Sequence, residues 1–205
     1  MSFVDLLAAE RAVAIIRARD PRTAADAMEA AVRGGIRLLE FTLNTPGALE
    51  LVESFARRDG LTVGAGTVLT VEDAEAAVRC GARFLVSPVI DEAVVAAAAR
   101  LSVPIVPGTQ TPTEMLRAHR AGAAAVKLFP VPAGGPSYVR AVLGPMPFLK
   151  IVPTQGVDGA NAAEWIAAGC LAVGTGAYLF PPEALAVGAW DVVEARARTL
   201  LAAVR

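Results

Sequence analysis

Two side chains in this sequence have the chemistry to work together on a carbonyl compound: the amine of Lys127 and the carboxylate of Glu40. Lys127 sits in Ala124-Ala125-Val126-Lys127-Leu128-Phe129-Pro130, an apolar run of strand length closed by a proline. In a strand buried on both faces, an ammonium must be paired, hydrated in a cavity or made neutral. The placement stands out because the chain has 19 basic residues, of which only Lys127 and Lys150 are lysines. One reading is a lysine that snorkels from a strand end or pairs structurally with an acid. The other is a nucleophilic amine that condenses with a ketone, with a carboxylate beside it to move protons. Apolar neighbours and a nearby cation such as Arg17 favour the neutral amine, whereas Glu40 opposes it.

The elements that would hold these groups alternate along the whole chain. A short amphipathic helix near Phe3 to Arg11 precedes the strand Ala12 to Ile16. Asp20-Pro21 marks a helix start, and a 3.6-residue pattern runs from Thr23 to Arg33 before Gly34-Gly35. Arg37 to Leu43 reads as the second strand, and Asn44-Thr45-Pro46 as the opening of the next helix. Further strands are predicted near Thr62 to Val68, Phe84 to Pro88, Pro104 to Gly108, Ala125 to Val131, Phe148 to Thr154 and Leu171 to Gly176. The helices between them run near Thr70 to Cys80, Asp91 to Arg100, Thr111 to Ala121, Ser137 to Leu143 and Gly159 to Ala168. A final helix is expected from Pro182 to Val204.

Eight strand-then-helix units predict an α/β protein, a single-domain (β/α)8 TIM barrel over residues 1–205 with a short N-terminal helix. Gly35, Gly81, Gly122 and Gly169 recur at steps of 46, 41 and 47 residues, each ending a helix ahead of an apolar strand. An open doubly wound sheet would alternate similarly, but no G-x-G-x-x-G follows the first strand.

Composition narrows the function. Hydrophobic residues make up 55% and charged residues 19% of 205, with a net charge of −1. That balance argues against disorder, a nucleic-acid footprint or an anionic membrane surface. Cys80 and Cys170 flank glycines at helix ends and read as small buried hydrophobes in a reducing compartment. The N-terminus lacks the basic region of a signal peptide, and the longest uncharged run, Trp165 to Pro182, is cut by glycines and prolines. A cytoplasmic location is therefore expected.

In such a barrel the C-terminal strand ends converge on one mouth. The exits supply Arg17; Glu40 with Thr42 and Asn44; Thr67; Ser87-Pro88; Pro107-Gly108-Thr109; Lys127 with Phe129; Thr154-Gln155-Gly156; and Gly174-Thr175-Gly176. Parity puts Lys127 on the face of Ala125 and Phe129, and Glu40 on that of Leu38 and Thr42; if both point inward, they meet within the narrow interior of the barrel. Lys150, early in its strand, reads as structural, and His119, among charged neighbours on a helix, as a solvated surface residue. No metal ligand set and no cofactor motif emerge. The glycines at the exits serve either tight geometry or amide donation to an anion.

Taken together, "LLEFTLNTP", "VGAGTVLT", "FLVSP", "IVPGTQTPTE", "VKLFP" and "IVPTQG" resemble the class I 2-keto-3-deoxy-6-phosphogluconate (KDPG) and 4-hydroxy-2-oxoglutarate (KHG) aldolase family, over about Ala12 to Leu179. The resemblance implies a (β/α)8 barrel, a homotrimer, no metal, and cleavage of 2-keto-4-hydroxy acids to pyruvate and an aldehyde. It implies that Lys127 forms the imine and Glu40 moves the protons. Arg17 and Thr67 would hold the substrate carboxylate and polar groups, Thr154 would sit near the imine, and Phe129 would form an apolar wall. Pro88, Gly156, Gly174 and Gly176 complete the expected substrate site.

Three departures bear on the substrate. Asn44 stands where many relatives have arginine, and "LNTP" resembles relatives acting on the galactonate-derived epimer. Gln155 replaces a glycine whose amide lies near the substrate phosphate. Gly174-Thr175-Gly176 replaces a "GGS" and loses its serine hydroxyl. Extra bulk at Gln155 is expected to weaken the phosphate pocket, which makes an unphosphorylated 2-keto acid at least as plausible as KDPG. Two other readings compete: a phosphate-binding barrel isomerase or epimerase, and a non-catalytic anion binder. The first needs paired acid–base groups but no imine lysine, and the second has no need to bury the pair.

Overall fold

The computed structural model describes residues 1–205. The chain opens with α1 (Phe3–Glu10), started by a reciprocal cap: Ser2 Oγ accepts from the Asp5 N–H, and the Asp5 carboxylate accepts from the Ser2 N–H. The alternation then runs β1 (Ala12–Ile16), α2 (Pro21–Arg33), β2 (Leu38–Thr42), α3 (Ala48–Ala56), β3 (Thr62–Gly66), α4 (Val71–Arg79), β4 (Phe84–Val86) and α5 (Glu92–Arg100). It continues with β5 (Ile105–Val106), β6 (Gly108–Thr109), α6 (Pro112–Arg120), β7 (Val126–Leu128), α7 (Gly135–Leu143), β8 (Ile151–Pro153), α8 (Ala162–Ala167), β9 (Val173–Thr175), α9 (Pro182–Val187) and α10 (Trp190–Val204). Asp20, Thr70, Asp91 and Thr111 each accept backbone N–H groups of the helix they precede, which is why those helices start where they do.

Every strand pair is parallel. Six strands follow the order β5-β4-β3-β2-β1-β9 and three the order β6-β7-β8, making a curled parallel α/β sheet. Pro107, with no N–H to donate, separates β5 from β6. The backbone around it still bonds both ways: Leu85 N donates to Pro104 O at 2.9 Å, and Lys127 N to Pro107 O at 2.9 Å. At the other join, Leu171 N donates to Ile151 O at 2.9 Å.

The sheet separates two apolar layers. Between strands and helices lies a cluster of 47 buried residues that includes Leu39, Phe41, Val126 and Leu128. Inside the curl lies a cluster of nine, including Leu38, Phe84, Ala125 and Val152. Successive strand residues point to opposite faces, so Glu40, two after Leu38, and Lys127, two after Ala125, point inward. Leu7 of α1 belongs to the same inner cluster, so this helix lies across the N-terminal strand ends.

The structure differs from the sequence expectations in detail. Helix α3 begins at Ala48 rather than at Asn44-Thr45-Pro46. Those residues form a turn, with Thr45 N donating to Thr42 O and Thr45 Oγ1 accepting from Ala18 N. The helix expected over Pro182 to Val204 is two helices, broken where Gly188 adopts φ 68°. No helix is long and apolar enough to cross a membrane.

Candidate active site

Glu40 and Lys127 are brought together in the interior, Glu40 1% and Lys127 9% exposed. Glu40 has Oε1 buried without a hydrogen-bond partner. The ion pairs of the protein lie elsewhere, on exposed or half-buried side chains, so Glu40 and Lys127 are neighbours without being a direct pair. Burial pushes the Glu40 carboxyl above its ordinary value, and the charges of Lys127 and Arg17 pull it only part of the way back. The site therefore holds a carboxyl group able to exchange a proton, with an amine close by. That is a different arrangement from a locked structural salt bridge.

Room for this carboxyl comes from β3. A Cβ on Gly66 would lie 1.9 Å from Glu40 Oε1, so any side chain there would push the carboxyl out of this position. The next residue, Thr67, is left-handed at φ 60°, a conformation costing a β-branched residue on the order of 1–3 kcal/mol. This strain sits at a strand exit beside Glu40.

A cavity of about 20 Å³ touches Glu40, Lys127, Thr154 and Gly174. A water needs roughly 10–15 Å³ measured this way, so the cavity is about the size of one water. The surface it presents, however, is apolar and offers a water no partner. Thr154 Oγ1, like Glu40 Oε1, is buried and unpartnered. Neither atom reaches the open surface of the cavity, so both are held dry. Gly174 makes Thr154 possible here, since a Cβ on Gly174 would lie 2.8 Å from Thr154 Cγ2.

The remaining expected residues divide into two sets. Phe129 lies beside the amine, with Lys127 Nζ 5.1 Å from the ring centroid. Arg17 is exposed at the exit of β1, and its Nε donates to Asn44 Oδ1 at 3.2 Å. Pro88 is half-buried, its carbonyl so near β6 that a Cβ on Gly108 would lie 2.0 Å from it. Thr175 faces elsewhere: it is 2% exposed and its hydroxyl donates to Val157 O at 3.1 Å, so its side chain does not reach the mouth. Gln155 is turned aside too, with Oε1 accepting from Val131 N at 3.2 Å. The expected bulk is therefore tied to the neighbouring loop. What the exits of β8 and β9 offer is backbone, because the N–H groups of Gln155, Gly156, Gly176 and Ala177 make no hydrogen bond within the protein. Gly156 is exposed, at φ 67° with open space where a Cβ would be.

Of the weaker candidates, Lys150 is exposed just before β8, at the end opposite the mouth. His119 is exposed on α6 with its ring 4.8 Å from that of Phe148. No three His, Cys, Asp or Glu side chains gather in a way that could hold a metal ion. Sequence reading missed the cavity lining below the pair, Phe3, Val13, Ile15, Val106 and Val152 among it. Val13, Ile15, Val106 and Val152 lie one or more inward-facing positions behind the mouth residues of their strands, and that parity is the signal that could have found them.

The fold and family have clear counterparts among known proteins. A family model described as "Aldolase: KDPG and KHG aldolase" matches residues 4–196. A probable 2-dehydro-3-deoxy-6-phosphogalactonate aldolase of Rhizobium meliloti is 35% identical over 193 residues, covering 93% of this chain and 90% of that protein. The crystal structure of KDPG aldolase from Legionella pneumophila, with pyruvate captured at low pH as a covalent carbinolamine intermediate, superposes with a TM-score of 0.87. It is 29% identical and covers 98% of each chain. A cube-shaped protein cage designed by fusing symmetric oligomeric domains gives a TM-score of 0.86 at 32% identity, covering 94% of this chain and 71% of that one.

Proposed function

The chain belongs to the KDPG and KHG aldolase family, and on that premise we propose that Lys127 is its imine-forming amine and Glu40 its acid–base group. The protein is a class I aldolase, an aldehyde-lyase acting on 2-keto-4-hydroxy acids. Lys127 attacks the keto carbon, and loss of water gives an iminium. The iminium draws electrons from the C3–C4 bond once the C4 hydroxyl proton leaves, so the aldehyde departs and an enamine remains. Protonation of the enamine and hydrolysis release pyruvate. Glu40, with a carboxyl raised by burial, accepts and returns these protons. Water that enters with the substrate carries them to carbons the carboxyl does not touch.

The observation that carries this reading is the buried, unpaired Glu40 beside a buried lysine in a family of imine-forming enzymes. Arg17, oriented by Asn44, is proposed to hold the substrate carboxylate. Phe129 and Pro88 line the apolar side, and Thr67 the polar one. The free amides of Gln155, Gly156, Gly176 and Ala177 receive the far end of the substrate. KDPG, 4-hydroxy-2-oxoglutarate and the galactonate-derived epimer of KDPG are the candidate substrates. The Asn44 side chain and the R. meliloti relative support the epimer.

The proposal includes a closed (β/α)8 barrel, supported by the hydrogen bonds that link the two strand groups across Pro107 and across Leu171 to Ile151. It also includes a homotrimer, supported by the resemblance of this chain to a symmetric oligomeric domain. A cytoplasmic location is part of the same reading, in keeping with two free cysteines.

The test is borohydride reduction in the presence of pyruvate, followed by peptide mass analysis. A fixed adduct on Lys127 is expected. Turnover without any adduct, or an adduct on Lys150 instead, overturns the assignment.

A further inference from the structure

The floor beneath Glu40 and Lys127 is made by the N-terminal helix. Phe3 of α1 stacks on Phe84, with ring centroids 5.0 Å and planes 25° apart. The Phe84 ring occupies space that Gly64 leaves open, since a Cβ on Gly64 would lie 2.5 Å from it. Gly66, two residues on, leaves the corresponding space for the Glu40 carboxyl. Two glycines of one strand thus set an aromatic ring and a carboxyl in successive layers of the interior.

The cavity that touches Glu40 and Lys127 touches Phe3, Leu7 and Phe84 as well. Apart from Glu40, Lys127 and Thr154, its walls are apolar side chains and Gly174. Phe3 is half-buried and lines the cavity, so its ring stands between solvent at the closed end and this cavity.

We propose that Phe3 is a positioning residue: docked on Phe84, it closes the cavity floor to water and keeps Glu40 desolvated from the end of the sheet opposite the mouth. This rests on the reading of Glu40 as the acid–base group. A carboxyl held away from water keeps its proton to higher pH, so a leak in the floor shifts its titration. The charges that face Glu40 are Lys127 of β7 and Arg17 at the exit of β1. Strands β3, β4, β8 and β9 present no ionisable group to the cavity. The charges of α1 lie outside it: Asp5 is exposed and bound to Ser2, close to the exposed Lys150, and Glu10 does not line the cavity.

The experiment is a ¹³C NMR titration of protein labelled at glutamate carboxyls, with the Glu40 resonance assigned by its loss in Glu40→Gln. In Phe3→Ala the Glu40 midpoint is expected to fall by about one pH unit. Phe3→Leu, which refills the floor, should stay near the unsubstituted protein. Val4→Ala removes apolar surface from the same helix but faces a separate pocket against Ala124 and Lys150, and should leave the midpoint in place. Should Phe3→Ala not fold, Phe3→Val serves with a shift of the same sign. An unmoved Glu40 midpoint in a folded Phe3→Ala or Phe3→Val protein overturns the proposal, as does an equal shift in Val4→Ala. Borohydride trapping of the unsubstituted protein with pyruvate, run in parallel, reads the imine assignment separately, so failure of one is distinguishable from failure of the other.

Discussion

Along β2, Leu39 and Phe41 pack against the helices while Leu38 and Glu40 face the inside of the curl. Neighbouring residues of one strand therefore live in two different media. The outer layer is a continuous apolar cluster of 47 residues, rich in alanine where helices approach closely, such as Ala24, Ala27, Ala30 and Ala31 of α2. The inner layer is a cluster of nine, and it is interrupted by an amine, a carboxyl with an unpartnered oxygen and a small cavity. Close packing without voids is what stability requires. The inner layer breaks that rule at Glu40, Lys127 and Thr154, the groups proposed to react, so the sheet divides stability and chemistry between its faces.

The sharpest test of that division is Lys127→Ala. Borohydride trapping should vanish and turnover should fall by at least about 10³-fold, since no other amine is placed to form the imine. The fold should survive, because removing a lysine that has no direct partner leaves no charge stranded in an ion pair. A variant that loses its fold along with its activity would break the comparison.

Glu40→Gln comes next. Turnover should fall roughly 10²–10⁴-fold while the imine with pyruvate still forms, only more slowly. Stability should move in the opposite direction. Burial raises the folded-state value for Glu40 above the ordinary 4.5, so the folded protein binds this proton more tightly than the unfolded chain. The stabilising contribution is full below the ordinary value and is lost as pH rises through the folded-state one. Above that, the buried carboxylate is a net burden, which glutamine removes. Chemical denaturation should accordingly find Glu40→Gln more stable than the parent near neutral pH and not near pH 4. Equal stability at both would mean Glu40 is not desolvated.

Leu39→Ala probes the outer face one residue away. It should lower stability by about 2–5 kcal/mol with kcat for the folded fraction unchanged. A fall in kcat comparable to that of Glu40→Gln would show the two layers to be coupled.

How much of this could be read from the sequence follows the same division. The βα alternation, most helix starts and the inward parity of Glu40 and Lys127 were legible, because Asp and Thr caps and apolar periodicity are local signals. The break at Gly188 and the turn at Asn44 were not, because each depends on a φ value or a hydrogen bond to a distant residue such as Ala18. Thr175 illustrates the harder limit. Its type and position suit a binding hydroxyl, but its neighbour Gly174 faces Thr154 inside, so Thr175 must face outward to Val157. Gly66 was visible as a glycine, yet its purpose, making room for Glu40, is a fact of three dimensions.

The smallest expected effect lies at the rim, with Gln155. From sequence its bulk should obstruct a phosphate, whereas in the fold it is bonded to Val131 N and leaves the amides beside it free. The segments Thr154 to Val157 and Gly174 to Ala177 contain no lysine or arginine, so a phosphate there would be met by neutral N–H donors. Each such bond to a charged phosphate contributes about 1.5–3 kcal/mol, so two acting together favour the phosphorylated acid by about 3–6 kcal/mol. The ratio of kcat/KM for KDPG to that for 4-hydroxy-2-oxoglutarate should thus stay within about 10⁴-fold. A much stronger preference for the phosphorylated acid would mean that a cation from elsewhere in the fold or assembly reaches the rim. Gln155→Gly removes one loop-to-loop hydrogen bond and changes no donor to the substrate, so it should alter that ratio less than about tenfold. A larger change would place the Gln155 side chain on the substrate and return the rim to the crowded state its sequence suggests.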